Sequence, residues 1–172
     1  SCFVANKCDR CQVVEFEPYP PNITELKENA ELNNPKRISI FEIALSDTSG
    51  TMSFSTPEEP TPGHGTGAIT DSPTSESVRT MRGDELISND EAPPPNIVKI
   101  DVEGAEPLVS DGLRKALSDD SCRLVFCELH PSELSEYDYD TSKMVTEFEQ
   151  MGYDVELHER WGDAHVLEAR RE

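Results

Sequence analysis

The chain has 172 residues, and its 15 Lys and Arg face 35 Asp and Glu, a formal net charge of −20. Only 35% of its residues are hydrophobic, below the ~45–50% of ordinary globular chains. So large an acidic excess excludes nucleic acid as a partner, because no basic stripe exists to meet phosphates, and it argues against an anionic membrane surface.

No apolar run approaches the ~20 residues of a membrane span. No positive start followed by an apolar core reads as a signal peptide. These features predict a cytoplasmic protein, and the length suits a single domain over residues 1–172. Compact apolar runs at 13–16, 38–45, 97–102 and 124–129 argue against disorder, and the acids sit between them. Lys supplies only 6 of the 15 basic residues, and so acidic a skin repels itself at low salt. The composition is therefore of halophile type.

Five cysteines, an odd number, read as free thiols in a cytoplasmic chain, with Cys122 and Cys127 acting as small hydrophobes. Cys8 and Cys11 form a CxxC, but no second pair or His knuckle follows to complete a zinc site. A thiol-rich loop is expected there.

Residues 13–17 (VVEFE) read as a short strand, ended by Pro18, Pro20 and Pro21. Proline starts a helix well, and Ile23, Leu26 and Ala30 recur at i, i+3 and i+7 with Glu25, Lys27, Glu28 and Glu31 on other faces. That spacing predicts an amphipathic helix ending near Asn33-Asn34-Pro35. Residues 38–45 are the next strand, 46–50 a turn and 51–55 a returning strand. Residues 56–77, rich in Pro, Thr, Ser and Gly and without periodicity, read as a long loop of lid type. Within it, Gly63-His64-Gly65-Thr66-Gly67 is only superficially a phosphate loop, lacking a preceding strand. Residues 83–88 form a helical turn, and 97–102 a strand whose apolar density implies burial on both faces. Residues 108–117 read as helix with a break at Gly112, and 124–129 as a second apolar strand stopped by His130-Pro131. Met144, Val145, Phe148 and Met151 stripe a helix over 141–151 with Gly152 as its cap. Residues 155–157 and 165–167 close the chain as an antiparallel edge. Alternation of this kind predicts an α/β layered sheet.

Open α/β sheets bind ligands beyond the carboxyl ends of their strands. Those ends present Glu15 and Glu17; then Ala44, Leu45, Ser46 and Asp47; then Asp101, Glu103 and Glu106; then Glu128 and His130. Acids abutting buried strands cost desolvation and usually have a task. Glu17 either caps the following helix or, as the strand-end position favours, holds ribose hydroxyls. Asp101 and Glu103 either cap the helix after Gly104 or act chemically. His130 is open between a structural residue and a base, and Glu15 and Glu106 read as structural groups or as supports behind the reacting ones.

The segments VVEFEPYPPNITELKENAELNN, ISIFEIALSDTSGTMSF, NIVKIDVEGAEPLVSDGL and LVFCELHP, in that order, resemble the FkbM-type family of S-adenosylmethionine-dependent methyltransferases. The likeness runs from about Val13 to Pro131, and KIDVEGAE is its most specific part. It implies a Rossmann-like class I methyltransferase sheet of seven strands, helices on both faces and an antiparallel C-terminal edge. It implies S-adenosylmethionine as cofactor and O-methylation of a hydroxyl on a saccharide or related metabolite. By the same resemblance Glu17 would hold the cofactor ribose, and Ala44, Leu45 and Ser46 would lie along its adenine. Asp101 would sit near the methyl end with Glu103 close by, and Glu128 and His130 would face the acceptor. Either His130 or Asp101 would be the base. A divalent ion on Asp101, Glu103 and Glu128 is chemically compatible but not required, and no metal is assigned.

One departure stands out. The family's glycine-rich cofactor loop follows its first strand, yet Ser1–Gln12 contains no glycine and resembles the tail of the first helix with its loop. The expectation is an N-terminally truncated domain with a gap in its sheet, which would give two copies a reason to pair. It also keeps alive an alternative, a non-catalytic methyltransferase-like remnant that binds a partner. The acidic skin generates its own test: circular dichroism should show a fully folded chain in molar KCl and loss of that signal on dialysis to low ionic strength. An unchanged spectrum would refute the salt-adapted reading.

Overall fold

A computed structural model describes residues 1–33, 37–55, 68–69, 76–160 and 164–172. In chain order these form α1 (Cys2–Lys7), β1 (Val13–Phe16), α2 (Pro20–Asn33), β2 (Ile38–Phe41), β3 (Ala44–Leu45), β4 (Gly50–Ser55), β5 (Ala68–Ile69) and β6 (Glu76–Met81). There follow α3 (Gly83–Ser88), β7 (Ile97–Ile100), α4 (Glu106–Gly112), α5 (Arg114–Ser118), β8 (Leu124–Leu129), α6 (Pro131–Leu134), α7 (Thr141–Gln150), β9 (Asp154–Glu159) and β10 (His165–Arg170). They gather into two compact units, Ser1–Ala44 with Gly50–Thr80, and Leu45–Ser49 with Met81–Glu172.

In the first unit β1 and β2 pair in parallel, Val13 opposite Ile38 and Phe16 opposite Phe41. The Phe16 and Phe41 rings stack at 5.2 Å between centroids, and α2 makes the crossover. Its predicted apolar stripe holds: Ile23 and Ala30 are buried and Leu26 half-buried, with Glu25, Lys27, Glu28 and Glu31 exposed. The N-terminal loop departs from expectation, because Cys8 and Cys11 are joined by a disulfide rather than free. The turn brings their Cα atoms within 5.3 Å, inside the range a disulfide spans, and the Arg37 guanidinium donates to the Cys8 carbonyl at 2.9 Å. Cys2, Cys122 and Cys127 are free thiols.

The strand expected over 38–45 is broken into β2 and β3 by a bend at Glu42–Ile43. Ile43 and Ala44 are adjacent and both buried, whereas a straight strand points neighbours to opposite faces. The β6 strand went unforeseen. It pairs antiparallel with β4, Gly50 opposite Thr80, and β4 pairs with β5. Its signal is the alternation of buried Val78 and Thr80 with exposed Ser77 and Arg79. Of the expected 56–77 loop, 68–69 and 76–77 are strand; the GHGTG segment lies outside the described residues.

The second unit is built on a sheet in the order β7-β8-β10-β9. β7 and β8 are parallel, Ile97 opposite Leu124 and Ile100 opposite Cys127. β10 is antiparallel to both β8 and β9, which is the antiparallel C-terminal edge expected. Among the described strands none pairs with the second edge of β1 or of β7, so these strands form separate sheets rather than one of seven. That placement corrects the reading of β7 as buried on both faces. As the outer strand of its own sheet it leaves Ile97 65% exposed and Lys99 exposed, and only Ile100 is fully buried.

The core of this unit packs Ile100, Val125, Cys127, Leu129 and Leu167 from the sheet against Val109, Leu117, Met144 and Phe148 from the helices. Asp140 starts α7 by accepting the Lys143 N–H at 2.8 Å, and Gly152, at φ +92°, ends it. The buried Asp84 carboxylate caps α5 by accepting the Lys115 and Ala116 N–H groups at 2.9 and 3.0 Å. The α4–α5 break falls at Leu113, one residue past the expected Gly112; a Cβ on Gly112 would lie 2.1 Å from the Ser46 carbonyl oxygen. Tyr153 donates its hydroxyl to the Leu117 and Cys122 carbonyls at 2.7 and 3.0 Å, with the Arg171 guanidinium 4.1 Å from its ring centroid. No described helix is long and apolar enough to cross a membrane.

Phe148 is wholly buried and meets Tyr153 edge-on at 5.9 Å. Phe148→Ala should therefore cost about 3–5 kcal/mol in urea unfolding monitored at high salt; a cost near zero would refute the packing described.

Candidate active site

Parallel pairing sets the carboxyl ends of β7 and β8 side by side. Past Ile100 the chain runs Asp101-Val102-Glu103-Gly104-Ala105 and enters α4 at Glu106; past Leu129 it runs through His130 into α6. The first segment turns sharply because Glu103 and Gly104 both take left-handed backbone, φ +52° and +102°. A Cβ on Gly104 would also lie 2.4 Å from the Glu133 Cβ, so glycine is required on two counts.

This turn carries Glu106 underneath the imidazole. Its side chain is wholly buried, and its Oε1 accepts the Gly104 N–H at 3.0 Å and lies 2.9 Å from His130 Nδ1. Its Oε2 is buried without a hydrogen-bond partner among the described residues. The other ring nitrogen, Nε2, is 3.4 Å from Glu103 Oε2. The Lys99 ammonium donates to Asp101 Oδ2 at 2.6 Å.

Burial would by itself lower the His130 pKa; the hydrogen bond to Glu106 and the negative charges of Glu103, Glu106 and Asp101 outweigh it and raise the group above its ordinary value. The Glu103 carboxyl is also raised, first by burial and then by Asp101, Glu106 and Glu133, against the pull of His130. Beneath them, burial pushes the Cys127 thiol far up, which makes it packing rather than a nucleophile.

The structure thus brings Asp101, Glu103 and His130 together, with Glu128 beside them. Asp101, Glu128 and His130 each place one ligand-type atom within 4.8 Å of the others, a donor set able to accept a hard cation. Lys99 already neutralises one of those oxygens, so no ion is assigned. Glu156, His158 and Glu168 make a similar group on β9 and β10, where Arg170 pairs with Glu168.

The residues expected at the cofactor are placed as follows. Glu17, in the first unit, accepts the Tyr19 N–H at 2.8 Å on one oxygen and the Asn22 amide at 3.3 Å on the other, which is the capping arrangement at the start of α2. Ala44 packs with Val78 and Tyr19 in the same unit. Leu45 and Ser46 belong to the second unit, where Leu45 packs on the core. Ser46 is wholly buried and donates its hydroxyl to Asp47 Oδ1 at 3.1 Å. Glu106, which the sequence offers as a structural or supporting acid, lies directly behind His130; the signal is an acid opening a helix straight after a strand-end glycine.

A family model described as the methyltransferase FkbM domain matches residues 1–155, and the chain belongs to that family. Among curated proteins it is similar to the hexuronic acid methyltransferase AglP of Haloferax volcanii, 32% identical over 163 residues. That match covers 91% of this chain and 63% of the relative, so the chain spans less than two thirds of the relative's length. Among solved structures it is similar to methyltransferase FkbM from Methylobacillus flagellatus KT, at a TM-score of 0.60 and 16% identity, over 91% of this chain and 36% of that one. At that identity the likeness speaks for the fold, α/β and Rossmann-like.

The raised groups make a stability prediction with a definite sign. The folded state binds protons at His130 and Glu103 more tightly than the unfolded chain, so their contribution falls as pH rises. For His130 it is complete below its ordinary value of 6.5 and is lost as pH passes the raised value. His130→Gln should therefore cost more stability in urea unfolding at about pH 6 than at about pH 9; an equal cost at both would refute the pairing.

Proposed function

We propose that this chain is the core of an S-adenosylmethionine-dependent methyltransferase that places a methyl group on a hydroxyl of a saccharide, and that the acceptor is a uronic-acid-type sugar. The observation that carries the reading is the convergence of Asp101, Glu103, Glu128 and His130 at two parallel strand ends within an FkbM-family chain. The hexuronic acid named for the Haloferax relative supports the acceptor class.

The donor set fits the cofactor at Glu17. Its carboxylate is held in place by Tyr19 and Asn22, and each oxygen keeps a second lone pair able to accept a ribose hydroxyl. In this reading Ala44, Leu45 and Ser46 form the adenine-side segment, contributing backbone and apolar surface, since the Ser46 hydroxyl is spent on Asp47. The bound cofactor would supply a methyl on a positively charged sulfonium, already activated for transfer. What remains for the protein is alignment and proton removal. Asp101 and Glu103 provide negative charge beside the reacting atoms. A base among the strand-end groups, His130 or Asp101, takes the acceptor hydroxyl's proton as its oxygen gains the methyl.

Calorimetric titration of the full chain with S-adenosylmethionine in molar salt tests this directly, followed by labelled-methyl transfer to uronic-acid-containing glycans. Binding is expected, and Glu17→Gln should weaken it by roughly tenfold, the worth of a hydrogen bond to a charged group. No detectable binding would refute the enzymatic reading and favour the non-catalytic alternative.

A further inference from the structure

We propose that Glu106 is a positioning residue that holds His130 with Nδ1 protonated and Nε2 turned to the acceptor, which makes His130, rather than Asp101, the base of the reaction. The proposal rests on the methyltransferase reading above and deepens it.

The placement of Glu106 is hard to explain as helix capping alone. A carboxylate opening a helix gains its electrostatic benefit at the surface, whereas this one is wholly buried, where an unpaired charge is costly. Its Oε2 has no hydrogen-bond partner among the described residues. Its Oε1 therefore carries the compensation, shared between the Gly104 N–H at 3.0 Å and His130 Nδ1 at 2.9 Å. Oε1 already acts as an acceptor toward the Gly104 N–H, and an accepting oxygen needs a donor at Nδ1, so the neutral imidazole keeps its lone pair on Nε2. The Gly104 amide locks Oε1 in place, and the left-handed pair at Glu103 and Gly104 aims that amide. A buried acceptor thus fixes both tautomer and ring plane, as a carboxylate behind a catalytic imidazole does.

The choice between the two bases follows from the same contacts. Asp101 Oδ2 is held by the Lys99 ammonium at 2.6 Å. His130 Nε2 lies 3.4 Å from Glu103 Oε2, beyond a full-strength hydrogen bond, and no ammonium or guanidinium is paired with it among the described residues. Among the described residues the charged groups toward the ring are Asp101, itself paired with Lys99, Glu103 and Glu106 from the segment after β7 and Glu128 from its own strand, with Glu133 beside Glu103. Acids predominate, so an imidazolium formed on proton uptake is stabilised where it arises. The proton of the acceptor hydroxyl would pass to Nε2 as its oxygen bonds the methyl, the donor's sulfur–methyl bond breaking and its electron pair staying on a neutral thioether.

Two measurements decide it. Long-range ¹H–¹⁵N spectra of the full chain, in molar salt and above the pH at which the imidazole titrates, should show His130 as the Nδ1–H tautomer. Glu106→Gln should lower kcat roughly 10–100-fold with little change in acceptor KM, the pattern of a lost proton-transfer contribution. Its rate-limiting acid limb should move to lower pH as the raising charge disappears, and Glu106→Asp should restore part of the rate. An Nε2–H tautomer in the wild-type chain would overturn the proposal without any variant having to fold. So would a Glu106→Gln enzyme of unchanged kcat, or one impaired only in KM. A chain with the Nδ1–H tautomer that methylates nothing would overturn the methyltransferase reading instead, so the two failures are distinguishable.

Discussion

Everything of chemical interest in the second unit depends on one ladder, the parallel pairing of β7 with β8. Ile100 stands opposite Cys127, so Asp101 and His130 leave the same edge of the sheet a few residues further on. Parallel strands carry their carboxyl ends together, and here that brings a run of acids up to a histidine. The left-handed pair at Glu103 and Gly104 then folds the first segment back far enough for Glu106 to reach the imidazole from below. Without the ladder these acids would be indistinguishable from the rest of an acidic surface.

The charge of −20 divides accordingly. Many of the described acids are exposed, some of them in surface pairs such as Glu42 with Lys27 and Asp9 with Arg37. Among the described residues three acids are buried, Asp84, Glu106 and Glu168, and each has definite donors, as desolvation requires. Asp84 takes two backbone N–H groups of α5 and is structural. Glu168 takes Arg170 from its own strand β10 and His158 from the edge strand β9. Glu106 alone combines full burial with a proton-carrying partner at the mouth of two parallel strands. That difference in surroundings, rather than residue type, separates a capping acid from one that can serve chemistry.

Legibility in the sequence followed the range of the interaction. Helices α2 and α7 were readable because their buried positions recur at helical spacing, and β8 because Val125, Cys127 and Leu129 are apolar and buried in alternation. The bend between β2 and β3 was not readable, since the adjacent burial of Ile43 and Ala44 looks in sequence like one continuous apolar strand. The exposure of Ile97 on β7 was hidden for a related reason: apolar density records what a strand could bury, while its place in the sheet decides what it does bury. The β6 strand was missed because its polar half outweighs Val78 and Thr80 in composition. The Cys8–Cys11 bond depends on a turn that brings the two Cα atoms together, and a CxxC pattern fits several chemistries equally.

By itself, then, the sequence determined the α/β class, most of the element order, the family, and the set of strand-end acids and histidine. These rest on local periodicity and on contiguous motifs, which survive without coordinates. Only the tertiary structure decided which of those groups meet: His130 with Glu106 below and Glu103 beside it, Asp101 with Lys99, Glu17 with the start of α2. Hydrogen bonding and desolvation act over a few ångströms between residues two dozen or more positions apart in the chain, as for His130 and Glu106, and no linear pattern encodes which partner is reached.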